Sequence, residues 1–165
     1  MAFETEQELA ELQELLEGSV AGAGSHLAMI FGPETAVRAE ELVVLLAGMQ
    51  VIDLATVTGA GEPRVAPVDG HFLHGRWLFG TSPEAARTRH LAANPAVSAA
   101  HTRGEGLCVI THGHAEPVDL RAPGGAETLT YLRRAYPTYD EWASPDNPYW
   151  TIRPTRMFVR NPTRS

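Results

Sequence analysis

After Met49 the chain divides into short runs of β-branched residues joined by turns too brief to hold a crossover helix, and this spacing restricts the fold more than any other feature. From Gln50 to Thr58, the residues Val51, Ile52, Thr56, Val57 and Thr58 predict a strand. Gly59-Ala60-Gly61-Glu62 predicts the turn that folds it back onto a second strand over 63–73. His74-Gly75 leads into a third strand over 76–80, so the first three make an antiparallel meander. Parallel neighbours would need connections of about a dozen residues or more. A helix over 83–93 interrupts and stops at Asn94-Pro95, strands return at 96–102, 107–117 and 151–159, and a further helix is expected over 124–136. Six strands with helices between them predict a mainly β chain with α, a small antiparallel barrel carrying its helices outside.

The segment before the strands differs in kind. Leu9, Leu12, Leu15 and Leu16 form one apolar stripe among glutamates, which predicts a helix over 5–17 ended by Gly18. A Gly/Ala-rich connector over 18–24 precedes a second helix over 35–47, with Gly48 as its stop. At 165 residues and 44% apolar the chain suits a single domain, with residues 1–41 as an N-terminal helical extension and 42–165 as the barrel. A net charge of -7, with arginine as the only basic residue besides histidine, argues against a nucleic-acid backbone or an anionic membrane as partner and leaves a small molecule or another protein. Met1 to Glu8 lacks the basic and apolar regions of a signal peptide, and Leu42 to Met49, the longest apolar run, is far below the roughly 20 residues that span a bilayer, so a cytoplasmic location is expected. The lone Cys108, in the apolar run Leu107 to Ile110, reads as a core residue.

Few motifs point to chemistry. Gly59-Ala60-Gly61 is a hairpin turn, since it lacks the third glycine of a dinucleotide fingerprint and leads into a strand. There is no phosphate-binding loop of the Walker type, no nucleophile elbow and no Cys-x-x-Cys pair. His112 and His114 alternate along a strand and share a face, but the spacing supplies no third ligand, and no metal site is expected. Pro67 cannot donate to a strand ladder, so the strand bearing Arg64, Asp69 and His71 should be an edge or carry a bulge there. The strongest signal is Thr81-Ser82-Pro83 after a strand: Ser82 fits a helix N-cap, Pro83 the first helical position, and Arg87 and Arg89 follow. Such a helix start favours an anion, phosphate above all, although Glu84 in the same first turn would compete with it.

Taken together, TVTGAGEPRVAPV (56–68), WLFGTSPEAARTRHLAANPAVSAA (77–100) and LCVITHGHAEPV (107–118) resemble the pyridoxamine 5′-phosphate oxidase-like family, and TIRPTRMFV (151–159) resembles its last strand. The resemblance covers about residues 42–159. It implies a six-stranded antiparallel split β-barrel of the FMN-binding type and a homodimer with the cofactor cleft at the subunit interface. The implied cofactor is flavin mononucleotide (FMN), with a deazaflavin coenzyme as alternative, in an oxidoreductase acting on a small organic substrate. Carried over by position, the backbone of Arg64, Val65, Ala66, Pro67 and Val68 would lie along the ring system. Gly80, Thr81 and Ser82 would border the ring and ribityl chain, and Arg87 would reach the phosphate. No side chain is implied as catalytic. Where the oxidase proper holds phosphate with a serine, an arginine and a lysine, this chain has Ala85, Ala86 and Arg87, which argues against pyridoxamine phosphate oxidation itself. The alternative is a non-catalytic split-barrel binding protein with weakened or lost flavin-phosphate binding, holding haem, another ligand or no cofactor.

Overall fold

Residues 3–143 and 146–162 are described by the computed structural model. Six strands, β1 (Met49–Val57), β2 (Pro63–Leu73), β3 (Arg76–Gly80), β4 (Ala96–Arg103), β5 (Leu107–Val118) and β6 (Tyr149–Arg160), close one antiparallel barrel in the order β1-β2-β3-β6-β5-β4. The tight turns force the β1-β2-β3 meander, with Gly61 at φ 81° in the first turn, where a side chain would be strained. Along β1, Ile52, Leu54 and Thr56 point into the barrel and Val51 and Asp53 point out, the period-2 alternation of a half-buried sheet.

One strand edge of the closed barrel is left without a partner strand, at a place that matters for function. β2 pairs with β1 from Pro63 against Val57 through His71 against Met49, but β3 covers only Gly70 to Leu73. Residues 63–69 therefore present one unpaired backbone edge. This is the edge that Pro67 predicted.

Two apolar clusters hold the molecule together. The interior cluster includes Ile52, Leu54, Phe72, Trp77, Phe79, Val109, Ile152 and Met157, and it continues without a break into Leu12 and Leu16 of α1 (Glu6–Ala21) and Ala39 and Leu42 of α3 (Ala39–Leu45). The helix α1 starts at a capping box formed by Thr5 and Glu8 and runs through Gly18 to Ala21, beyond the expected stop. A mid-helix glycine costs only about 1 kcal/mol. The turn after it is held by Ser19, whose buried hydroxyl donates to Leu15 O at 2.6 Å and accepts the Met157 N–H of β6 at 2.9 Å. Between α1 and α3 lies a short helix, α2 (Ser25–Ile30), that the sequence pattern does not announce, and α3 is shorter than expected.

The second cluster lies outside the barrel. Leu73, Leu78 and Tyr149, facing outward from β2, β3 and β6, are covered by Leu132 and Tyr139. These come from α5 (Ala126–Ala135) and α6 (Tyr139–Trp142), with α4 (Ala86–Ala93) the remaining helix. Cys108 is not a core residue: it alternates outward between the buried Leu107 and Val109, half-buried, and desolvation pushes its thiol pKa up. Among the described residues no helix is long and apolar enough to cross a membrane.

Candidate functional site

The open edge of β2 meets the amino end of α4. That helix starts three residues later than expected: Ala85 is its N-cap and Ala86 its first residue. Ser82 does not cap it. The Ser82 hydroxyl instead donates to the Glu84 carboxylate and accepts the Glu84 N–H at 3.2 Å, closing a local turn in which Pro83 sits outside the helix. Short polar side chains readily make such turns with neighbouring backbone. The shift changes the electrostatics of the helix start. Its first turn holds no acidic residue, and Glu84 lies before the N-cap. The hydrogen bond from Ser82 lowers the Glu84 carboxyl pKa below its usual value, so it remains an anion, but one already engaged.

No side chain caps the helix, and the small side chains of Ala85 and Ala86 leave its first amides open to approach. α4 is fixed on the barrel end by the buried Leu91 and by His90, whose Nδ1 lies 3.0 Å from the Thr56 hydroxyl. Arg87, one turn before Leu91, lies on the same face. It borders a cavity of about 360 Å³ with Thr56, Arg64, Val65, Ala66 and His90. Arg87 makes no hydrogen bond or ion pair with any described residue, whereas Arg64 is bound to Glu62 at 2.6 Å and Arg89 reaches the Glu84 carbonyl at 3.5 Å. A half-buried guanidinium without a partner, two open helix amides and an open strand edge suit a phosphate bearing a larger group.

The predicted residues do not all converge there. Arg64, Val65, Ala66 and Arg87 come together; Pro67 is exposed on the open edge, and the Val68 side chain is buried in the core. Gly80 and Thr81 line a second cavity of about 230 Å³ with Asp69, His71, Tyr136, Trp142 and Tyr149, and Ser82 lines neither. Gly80 also has a packing reason to be glycine, since a Cβ there would lie 2.9 Å from the Tyr149 ring.

In the second cavity His71 is buried between two tyrosines, its Nδ1 2.8 Å from the Tyr131 hydroxyl and its Nε2 3.0 Å from that of Tyr136. A neutral imidazole donates from one nitrogen and accepts at the other, so both contacts are satisfied without a charge. Burial lowers the His71 pKa to about 4 despite the opposing pull of the Asp69 carboxylate. Burial, followed by the charges of Asp69 and Tyr131, raises Tyr136 to about 12. Tyr149 is also raised, by burial first and then by the neighbouring Tyr139. Tyr131, Tyr136 and Trp142 carried no signal in the sequence: the partner of both tyrosines, His71 on β2, lies 60 and 65 residues away along the chain.

His112 is exposed on β5 and paired with the Ser98 hydroxyl at 2.7 Å. Among the described residues no group of three histidines, cysteines or carboxylates is placed to hold a metal ion.

No family profile and no curated protein matches the chain. Solved structures do. The protein Rv2991 of Mycobacterium tuberculosis superposes with a TM-score of 0.66 at 17% identity, over 80% of this chain and 89% of its own. An FAD-binding protein from Mesorhizobium loti gives 0.60 at 19% identity, over 75% and 93%. A Listeria innocua protein described as a putative pyridoxamine 5′-phosphate oxidase gives 0.58 at 16%, over 73% and 95%. A haem storage protein from Vibrio cholerae gives 0.59 at 17%, over 67% and 86%. The chain therefore has the split-barrel fold of the pyridoxamine 5′-phosphate oxidase-like proteins, a fold that at these identities accompanies more than one ligand.

Proposed function

We propose that the chain binds FMN and serves as a flavin-dependent oxidoreductase on a small organic substrate. The observation that carries this reading is the unpartnered Arg87 beside the uncapped start of α4, opening onto the free edge of β2. In this reading Arg87 and the amides of Ala86 and Arg87 hold the phosphate, and the backbone edge from Arg64 to Val68 flanks the ring system. When bound, the flavin would accept or deliver a hydride; the protein's part is orientation, exclusion of water and hydrogen bonding. A deazaflavin coenzyme presents a phosphate of the same kind and is the nearest alternative.

The same reading makes the protein a homodimer with the cleft at the subunit interface. Its support is the outer face of β1 and β2, where Val51 and Val65 are 53% and 67% exposed, with the exposed Asp53 and Asp69 on the same face. An unpaired strand edge on the same strand as an exposed valine favours association with a second chain.

Adding FMN to the purified protein tests the reading. A flavin absorbance band that co-elutes with the protein, and a rise in Tm that grows with FMN concentration, are expected. Indifference to FMN and deazaflavin together with a stoichiometric Soret band on adding haem would replace this reading with the haem-binding one that the Vibrio cholerae neighbour favours.

A further inference from the structure

The cavity beside Gly80 and Thr81 shares no residue with the one at α4, and its chemistry is opposite. Three aromatic side chains, Tyr136, Trp142 and Tyr149, form much of its wall. Tyr136 and Trp142 meet edge to face, with ring centroids 5.6 Å apart and planes at 89°. Trp142 is 51% exposed although it stands among aromatic neighbours, which places it on the rim.

Among the described residues no arginine lines this cavity. His71 in its wall is buried between the two tyrosine hydroxyls and carries no charge at neutral pH. Among the described lining residues the formal charge is the Asp69 carboxylate, which forms no ion pair with any described residue. A negative group beside the faces of electron-rich rings attracts cations and repels anions.

The Tyr136 hydroxyl is engaged with His71. That leaves Tyr136 its ring as the contact surface, with the polar side chains of Thr81 and Asn147 elsewhere in the wall. A primary ammonium needs acceptors for three N–H groups, while a trimethylammonium needs none and spreads its charge over methyl surfaces that pack on rings.

We propose that the Tyr136–Trp142–Tyr149 cavity, with Asp69 at its side, is a binding site for a small quaternary or methylated organic ammonium group. The residues of this cavity all belong to one chain, and none is shared with the cavity at α4.

Titration of the purified protein, without added flavin, with choline and with its neutral isostere 3,3-dimethylbutan-1-ol tests this. The readouts are tryptophan fluorescence, in which the rim residue Trp142 responds while the buried Trp77 and Trp150 do not, and calorimetry. Choline should bind about tenfold more tightly than the isostere, and Asp69→Asn should remove most of that difference, as expected for a cation held by ring faces and one carboxylate. Asp69 is exposed, so this variant folds. Tyr136→Phe, which keeps the ring, should bind choline within about twofold of the wild type, and Trp142→Leu should lose binding. Equal affinity for choline and its isostere, no binding of either, or an Asp69→Asn variant indistinguishable from wild type would overturn the proposal.

Discussion

Replacing Arg87 by alanine should weaken FMN binding about 10- to 150-fold. The range follows from a charge-assisted hydrogen bond worth about 1.5–3 kcal/mol, at about 1.4 kcal/mol per tenfold in affinity. The guanidinium is half-buried and unpaired in the free protein, so no internal ion pair has to break when phosphate arrives and none is lost in the variant. The effect must come through the phosphate: Arg87→Ala should leave affinity for riboflavin, which lacks that group, within about twofold, because only the phosphate contact carries the large contribution. Arg103→Ala is the matched control. Arg103 is bonded to Leu45 O at 2.7 Å and Gln50 Oε1 at 2.8 Å, and Gln50 lies at the opposite end of β1 from Thr56. Quenching of flavin fluorescence, titrated for both ligands against wild type and both variants, gives the comparison. Equal losses for FMN and riboflavin in Arg87→Ala, or equal losses for FMN in the two variants, would refute a phosphate site at α4.

Two further outcomes follow from the packing. Because the pKa of His71 is depressed to about 4 from 6.5, the unfolded chain binds more protons between those values, and the stability this neutral histidine supplies is present above pH 6.5 and lost as pH falls toward 4. Urea unfolding at pH 7 and pH 4 should therefore differ by about 3 kcal/mol more in wild type than in His71→Phe, at about 1.4 kcal/mol for each tenfold change in proton affinity; the same pH dependence in both would show that His71 protonates freely in the fold. Ser19→Ala should cost about 1–3 kcal/mol, since it leaves the buried Met157 N–H of β6 without an acceptor. An unchanged urea midpoint would mean that α1 is not anchored to the barrel through this residue.

The strands were legible because the signal that specifies them is local: β-branched runs bounded by Gly61 and by His74-Gly75 define the meander, and Pro67 announces the open edge. The helix starts were harder. Ser82-Pro83 satisfies the sequence rule for a cap, yet the serine hydroxyl is taken by Glu84 in a tighter turn, and the helix begins at Ala86 with an unassisted N-cap. In the same way Gly18 reads as a stop, but the contacts of Ser19 and Leu16 against the barrel outweigh its propensity cost. Arg87 was visible as a basic residue on a helix after a strand. The tyrosines about His71 were not, because only the docking of α5 and α6 on the outer sheet face brings them there.

FMN binding of the proposed kind requires phosphate to arrive at the start of α4, and the backbone amides of that turn report on it directly. In a ¹⁵N–¹H spectrum titrated with FMN, the signals of Ala86 and Arg87 should shift together with those of Arg64, Val65 and Ala66, and inorganic phosphate alone should move the first two. Shifts confined to the outward face of β5 around His112, or an unchanged spectrum at millimolar FMN, would contradict it.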